Sequence, residues 1–291
     1  MTATSVAVIT IVSGRHRHLL NQQRGLRTGS RLPELYVVVA MDDPRALQLT
    51  AAGPMTCCAT TVLPVAISAD GGGLPLAAAR NAGAAAALDA GADTLIFLDV
   101  DCVPAPGLVA TYGGAVATAV ASEQSSSLFC GVVRYLDAGF DIASLNAGPP
   151  VGTPHAARPT PEPGAVIASK DWQLFWSLSF AVSVQTWRQL GGFCEEYSGY
   201  GAEDTDLGYR AFRAGIDISW VGDADAYHQY HDTQRPPVGH LLDIVANATV
   251  FHDRWGFWPL EGWLTAFCEL GLTSYDPERD SWTVSASGAG S

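Results

Sequence analysis

Charge, lysine and long apolar runs are all scarce in this sequence. Only 15% of the residues are charged while 48% are hydrophobic, which excludes an intrinsically disordered chain. Lys170 is the only lysine, and 16 basic against 29 acidic residues give a net charge of −13. A surface this acidic repels a phosphate polymer, so the composition argues against a nucleic-acid partner.

No apolar run approaches the roughly 20 residues that a membrane-spanning helix requires. The longest runs are interrupted by Arg80, Asn81 and Asp89, or have only the length of a strand. Residues 1–12 lack a basic region and a cleavage site, so they predict a first β-strand rather than a signal peptide. The six cysteines form no CxxC pair. We therefore expect a cytoplasmic protein without a membrane span and with reduced thiols.

Apolar strands alternate with helix-favouring segments through the first hundred residues. The pattern predicts strands at residues 5–12, 35–40, 62–67 and 94–98, and an Ala-rich helix at 75–90. A chain of 291 residues fits one large domain. The alternation favours an α/β fold: a single Rossmann-like domain with a mostly parallel central sheet flanked by helices. Such sheets bind ligands at the carboxyl ends of their strands.

Asp99 and Asp101 follow the predicted strand at 94–98, with Val100 between them. Alternate residues of an extended segment share a face, so both carboxylates face the same way. Two carboxylates bind a hard divalent cation, which in turn holds a diphosphate. An ordinary turn containing two aspartates is the alternative interpretation.

Residues 199–206 read GYGAEDTD and follow the segment Gly191-Gly192-Phe193. Glycines let the backbone approach a ligand closely, and Tyr200 offers a flat face to a sugar ring. Glu203 and Asp204 stand near a predicted helix start, where the helix dipole also favours acids. The dipole accounts for the acids but not for the flanking glycines, so the pattern favours a sugar site.

Histidine and arginine supply the other candidates. His228 and His231 follow a predicted strand three residues apart and predict a metal ligand, with the choice between them left open. Residues 1–33 contain no acid, and Arg15 directly follows the first strand, where it can meet a phosphate. The pair Arg80-Asn81 is a second candidate phosphate contact.

Together these motifs resemble the metal-dependent glycosyltransferases of the GT-A fold, and the C-terminal half resembles the galactosyltransferase C-terminal module. The resemblance extends over about residues 5–265, and bacterial members add a likeness at 252–263. The compact form also resembles the bacterial mannosyltransferases that extend methylmannose polysaccharides from GDP-mannose. The segments that carry the resemblance are Thr10-Ile11-Val12-Ser13, Asp42, Arg80-Asn81, Asp99-Val100-Asp101, Gly191-Gly192-Phe193, residues 199–206 and residues 227–231.

The resemblance implies a hexosyltransferase with Mn²⁺ or Mg²⁺ bound by Asp101 and by His228 or His231. It implies Asp204 as the catalytic base of an inverting reaction, with Glu203 on sugar hydroxyls. The nucleotide-sugar contacts that it implies are Thr10, Val12, Ser13, Arg15, Asp42, Arg80, Asn81, Asp99, Val100 and Asp101. The contacts to the saccharide acceptor and the transferred sugar are Trp176, Tyr200, Gly201 and Glu203.

Three regions follow from the resemblance. Residues 1–110 form the nucleotide-sugar-binding half of one domain, and residues 111–265 form its acceptor-binding and catalytic half. Residues 266–291 form a C-terminal extension that we expect to be partly disordered.

Several alternatives stay open. We expect mannose from GDP-mannose, but no motif separates guanine from uracil, and Ala202 replaces a glycine that galactosyltransferases commonly have. A UDP-dependent galactosyl- or glucosyltransferase is therefore the alternative.

In a retaining enzyme Asp204 would orient the acceptor. A sugar nucleotidyltransferase is disfavoured by the sparse glycine after strand one, and a decayed carbohydrate-binding protein by the presence of all four acids. Assembly into a homo-oligomer is also left open.

Overall fold

The computed structural model describes residues 4–53, 55, 57–67, 73–122, 126–145 and 150–285. Residues 286–291 of the tail expected to be disordered lie outside this part. The strands are β1 (Val6–Val12), β2 (Leu35–Met41), β3 (Ala59–Val65), β4 (Thr94–Leu98), β5 (Cys102–Pro104), β6 (Ser127–Tyr135), β7 (Thr153–Pro154), β8 (Val166–Ser169), β9 (Ser179–Ser183), β10 (Asp217–His228), β11 (Thr273–Asp276) and β12 (Ser281–Val284). The helices are α1 (His16–Arg27), α2 (Pro44–Ala51), α3 (Leu76–Asp89), α4 (Leu108–Ala121), α5 (Val184–Leu190), α6 (Glu203–Arg213), α7 (Leu241–Trp255) and α8 (Glu261–Glu269).

One large sheet organises the described residues. Its main order is β3-β2-β1-β4-β9-β6-β10-β5, with β7 paired to β6 and β8 paired to β10. Strands β1 to β4, β6 and β10 run in one direction, and the remaining four run against them. The predicted α/β fold with a mostly parallel central sheet is therefore confirmed.

Helices cover both faces of this sheet, because alternate residues of each buried strand point to opposite sides. Ile9, Val37 and Phe97 belong to the core on the side of α3, α5 and α6, whereas Val8 and Val38 face α1, α2 and α4. No helix in the described ranges is long and apolar enough to cross a bilayer. All six cysteines are free, as predicted.

The last strand before the histidines is longer than the sequence pattern predicts. Apolar residues suggest a strand only at 218–221, but β10 continues to His228. A shift in its register with β6 lies between Val221 and Ala226, and Asp223 there has a left-handed backbone with φ of 64°. Such a bulge lets a strand continue past residues that break the alternating pattern, and it turns the end of the strand. It delivers His228 to the edge of the sheet at which β4 ends.

The C-terminal helices hold the loop that precedes α6. Asn247 on α7 is buried, and its amide donates to the carbonyls of Ser198 and Gly201 at 2.9 Å each. Asp243 accepts the backbone N–H of Tyr200 at 3.1 Å. A Cβ at Gly199, where φ is 73°, would lie 2.2 Å from a carboxylate oxygen of Asp243. The glycine is therefore required twice, for its backbone conformation and for space.

This double requirement predicts that Gly199→Ala destabilises the protein more than Gly215→Ala. Gly215 has a similar φ of 74° but nothing within 4 Å of an added Cβ. The control should lose about 1 kcal/mol for left-handed alanine, and Gly199→Ala about 2–4 kcal/mol because the clash adds to that cost. Urea unfolding of both variants measures the difference. Equal losses would show that Asp243 moves aside freely.

Candidate active site

The candidate site lies where β1, β2 and β4 end side by side. Parallel register aligns these strands, with Ile9 beside both Val37 and Phe97. The segments that follow the strands are joined by polar contacts. The N–H of Gly14 donates to the Asp43 carboxylate at 2.8 Å, and Arg15 Nη1 lies 2.8 Å from Asp101 Oδ2. The edge of the sheet at which the sequence predicts a ligand is therefore a set of converging polar groups.

Asp101, His228 and His231 form a cluster at this edge. One ligand atom from each lies within 4.8 Å of the others, with His231 Nε2 3.6 Å from Asp101 Oδ2. Pairing of β10 with β5 places His228 beside Cys102, and the N–H of Gln229 donates to the carbonyl of Asp101 at 2.7 Å. The structure thus brings both candidate histidines to Asp101 rather than only one.

The ionisation of this cluster suits a cation. Burial raises the pKa of Asp101, but the hydrogen bond from His18 and the charge of Arg15 outweigh it, so the pKa is lowered and the carboxylate stays ionised. Burial lowers the pKa of His228 to about 4, which keeps its ring neutral with a lone pair available. One carboxylate and two neutral imidazoles are groups that can bind a divalent metal ion.

His18 has no role in the sequence interpretation beyond a basic segment, yet it contacts Asp101 directly. Its Nδ1 lies 2.5 Å from Asp101 Oδ1. Helix α1 begins after Arg15, which has a left-handed φ of 47°, and its first turn aims His18 at the aspartate. The only sequence signal for this contact is that His18 lies in the same short segment after β1 as Arg15, which was predicted to bind a phosphate.

A second group of charges surrounds Arg80. Its guanidinium, with a side chain only 5% exposed, donates to Asp99 at 3.0 Å and to Glu203 at 3.1 Å. Arg80 was predicted to contact a phosphate, but the structure engages it in a buried bridge between the two halves of the chain. The reason is its position on the buried face of α3.

Glu203 is the least satisfied acid of the site. Its Oε1 accepts from Arg80, but its buried Oε2 has no hydrogen-bond partner among the described residues. Burial, and then the charge of Asp204, raise the pKa of Glu203 to about 7. A buried carboxylate oxygen without a donor is costly, so this atom is suited to a ligand hydroxyl.

Asp204 occupies the position expected for a catalytic base, at the start of α6. Burial raises its pKa although Arg80 and backbone N–H groups oppose the shift. Its Oδ1 accepts the Thr205 N–H at 2.7 Å and its Oδ2 accepts the Ser177 N–H at 3.4 Å. These bonds fix the carboxylate while leaving it lone pairs, as proton transfer requires.

Aromatic rings border the acids. Tyr200 is 40% exposed and stacks on His240 and Trp263, with ring centroids 4.6 and 5.9 Å away. Gly201 beside it has a φ of 102°, which permits the tight turn into α6. Trp176 is half-buried and lies near His155, not among the rings around Tyr200. The contacts of His240 and Trp263 with Tyr200 were missed because both residues lie 40 or more positions from Tyr200 in the sequence.

Other predicted contacts are turned inward or otherwise engaged. Thr10 is buried and bonds Gln22 and the carbonyl of Leu98, and the side chains of Val12 and Val100 lie in the core. Any contact that these three make with a nucleotide is therefore confined to the backbone. The Asn81 amide is held by the backbone of Phe193, at 2.9 Å from its carbonyl.

Two predicted contacts lie at the surface. Asp42 is exposed at the end of β2 and accepts the N–H of Ile67 at 2.9 Å. Ser13 is partly exposed at the end of β1. Trp187 is buried in the core.

Comparisons with known proteins find similarity in part of the sequence. A family model described as the N-terminal domain of galactosyltransferase matches residues 168–232, which include Glu203, Asp204, His228 and His231. Validoxylamine A glucosyltransferase of Streptomyces hygroscopicus subsp. jinggangensis is 38% identical over 48 residues, and the protein of that name from subsp. limoneus matches to the same extent. Each match covers 16% of this chain and 11% of the relative, so only a small part of those proteins is compared.

Solved structures match over most of the chain. TarS 1-349 from S. aureus has a TM-score of 0.55 at 16% identity, covering 84% of this chain and 65% of that one. GalNAc-T7, solved with UDP, GalNAc and Mn²⁺, has a TM-score of 0.53 at 14% identity, covering 79% and 44%. At these identities the likeness establishes the fold. A short segment of the chain therefore resembles a galactosyltransferase domain, and the described residues share their fold with these two structures.

Proposed function

We propose that this protein is a metal-dependent glycosyltransferase that moves a hexose from a nucleotide sugar to a hydroxyl of a saccharide acceptor. The observation that carries the proposal is the meeting of Asp101, His228 and His231 at one edge of the sheet. These residues are far apart in the chain, and a fold has no structural need to gather two imidazoles and a carboxylate there. The nearby acid pair Glu203 and Asp204 supplies the second requirement of glycosyl transfer, a proton acceptor.

On the donor side, Asp101, His228 and His231 would hold a divalent cation. When bound, such a cation neutralises the negative charge that grows on a leaving diphosphate. Arg15, which is partly exposed beside Asp101, adds a positive charge at the same edge. Asp99 is fixed by Arg80 and leaves part of its carboxylate at the surface, where a ribose hydroxyl can donate to it.

On the acceptor side, Tyr200 presents its ring to a sugar face. Glu203 accepts a sugar hydroxyl at its unpartnered Oε2 and thereby orients the acceptor. In an inverting reaction Asp204 takes the proton of the attacking hydroxyl, since its raised pKa makes it a better base than an ordinary aspartate. In a retaining reaction Asp204 orients that hydroxyl instead.

For the donor, UDP-hexoses are the first compounds to test. TarS has been solved with UDP and with UDP-GlcNAc, and GalNAc-T7 with UDP and GalNAc. The relatives in sequence are named as glucosyltransferases. GDP-mannose, the donor predicted from the resemblance to bacterial mannosyltransferases, belongs in the same binding screen with Mn²⁺.

Removing the carboxylate of the metal cluster should abolish the response to the metal. We expect Asp101→Ala to lose the rise in Tm that Mn²⁺ gives to chelator-treated protein, and to lower transfer at least about a hundredfold because the leaving group is no longer stabilised. The exposed Asp89 on α3 provides the control variant Asp89→Ala. If both histidines are ligands, His228→Ala and His231→Ala each weaken Mn²⁺ binding tenfold or more. Full metal-dependent turnover of Asp101→Ala would refute the metal assignment.

The base assignment predicts a separation of turnover from binding. Asp204→Asn keeps the size of the side chain but cannot accept the proton, so kcat should fall by about 10²–10⁴. Donor affinity, measured by calorimetry with nucleotide and Mn²⁺, should stay within about threefold of the unchanged protein. Loss of donor binding at unchanged kcat would count against a base role.

The raised pKa of Glu203 predicts a pH-dependent stability difference. Between pH 4.5, the ordinary pKa of glutamate, and about 7, the folded chain keeps a proton on Glu203 that the unfolded chain releases. The free energy of unfolding contributed by this group therefore falls as the pH rises through that window. Glu203→Gln should match the unchanged protein near pH 5 and exceed its stability by pH 7.5.

Urea unfolding at pH 5, 6 and 7.5 measures this difference, and contributions common to both proteins, such as that of His228, cancel. A difference that does not vary with pH would show that Glu203 titrates in its ordinary range.

A further inference from the structure

A second buried arginine has no counter-ion. Arg158 is only 8% exposed, and Nε, Nη1 and Nη2 are all buried without a hydrogen-bond partner in the described part of the chain. Burying an unpaired charge costs several kcal/mol, and a guanidinium cannot escape that cost by losing its proton. By contrast, the buried Arg80 is bonded to two carboxylates.

Aromatic rings compensate Arg158 only in part. The guanidinium carbon lies 5.0 Å from the ring centroid of Trp176 and 4.7 Å from that of Trp220. Such contacts stabilise a cation by about 2 kcal/mol when water is excluded, but they leave its N–H groups without acceptors. The indole N–H of Trp220 is likewise buried without an acceptor. The neighbourhood therefore holds several donors and lacks acceptors.

The nearest thiol does not supply the missing negative charge. Arg158 lowers the pKa of Cys130, but burial dominates and raises it to about 12, so the sulfur stays protonated and is a weak acceptor. His155 shows the sign of the surrounding field, because burial, Arg235 and Arg158 all lower its pKa. The region is positive, and none of the described residues provides a carboxylate partner for the guanidinium.

A narrow cavity opens beside the guanidinium. It is lined by Tyr135, Pro154, His155 and Arg158 together with the β6 backbone, and its enclosed space of about 10 Å³ has room for about one water-sized polar group that enters from the open mouth. The N–H bonds lie in the plane of the guanidinium, so an anion must approach its edge. A planar carboxylate makes this approach with two parallel hydrogen bonds.

Rings connect the cavity to the proposed transfer site. Tyr135 contacts His228 of the metal cluster, with centroids 5.0 Å apart, and His155 contacts Trp176 at 4.7 Å. The cavity is therefore beside the cation site but separated from it by Tyr135. A sugar ring at the mouth would lie near Trp176, which was predicted to contact the acceptor.

We propose that Arg158 binds a carboxylate of the acceptor, so that this protein glycosylates an acidic saccharide or a small hydroxy acid rather than a neutral sugar. The identification of the ligand as an acceptor rests on the proposed glycosyltransferase function, whereas the carboxylate site is inferred from Arg158, Trp176 and Trp220 alone. In this assignment Arg158 is a residue that determines specificity and takes no part in proton transfer.

The experiment compares three ligands with the same ring: methyl glucoside, glucuronate and glucose 6-phosphate. Glucuronate should raise the Tm of the unchanged protein by about 2–4 °C at saturating concentration and should change tryptophan fluorescence, because Trp176 and Trp220 flank the site. Methyl glucoside should do neither. Arg158→Gln should lose the glucuronate response, and Arg158→Lys should weaken glucuronate binding tenfold or more because it lacks the planar fork.

Arg213→Gln is the matched control, since Arg213 also lies over two aromatic rings, those of Tyr209 and Trp255, but is exposed. It should keep the full response. If the Arg158 variants fail to fold, the fluorescence titration of the unchanged protein with the three ligands still decides the question.

Three results would overturn the proposal: equal responses to glucuronate and methyl glucoside, the same response to sodium chloride at matched ionic strength, or tighter binding of glucose 6-phosphate. UDP with Mn²⁺ is measured in parallel and should stabilise both the unchanged protein and Arg158→Gln. Absence of that stabilisation, with glucuronate binding intact, would refute the proposed function while leaving the carboxylate site in place.

Discussion

The buried guanidinium of Arg80 is the interaction on which the candidate site depends. It lies on α3 and bonds Asp99 after β4 and Glu203 at the start of α6, so a single side chain fixes these two segments relative to each other. With both carboxylates present the charges are compensated. Removing Arg80 would leave both carboxylates buried without their counter-ion, and the loss of one partner from such a buried pair costs about 3–5 kcal/mol. The bridge therefore determines both the relative positions of the groups in the site and the charge of the site.

Positive charge is concentrated at one edge of the sheet in this acidic protein. The chain carries a net −13, yet Arg15, His18, Arg80 and Arg158 all lie at or beside the carboxyl ends of the central strands. Local positive charge would attract the anionic donor of the proposed reaction, while the acidic remainder would repel unrelated polyanions. Arg80 is neutralised by protein acids and Arg158 is not. The two arginines therefore differ in whether their N–H groups are available to bind a ligand.

The sequence predicts features that depend on local pattern and fails on those that depend on distant partners. Strand β4 was predicted correctly, because four consecutive apolar residues, Leu95 to Leu98, form a run that ends at Asp99. The extension of β10 to His228 was not predicted, since Gly222, Asp223 and Asp225 interrupt the apolar pattern.

Nor does any pattern show that Arg80 faces two acids rather than a phosphate. That outcome depends on how α3 and α6 pack on the sheet, and this packing brings together residues more than 120 positions apart. The same limit applies to Arg158, which lies in a Pro-rich segment without a periodic apolar pattern.

Ala202, which directly precedes Glu203 and Asp204, has a strained backbone conformation. It has a left-handed φ of 70° although it is not glycine, a conformation that costs about 1–2 kcal/mol. Its methyl group is fully buried with Tyr197 and Phe251, and this burial offsets about 0.8 kcal/mol of the conformational cost. Its carbonyl accepts the N–H of Asp206 at 2.8 Å and so starts α6. The strained residue thus fixes where α6 begins, and Glu203 and Asp204, its next two residues, take their positions from that start.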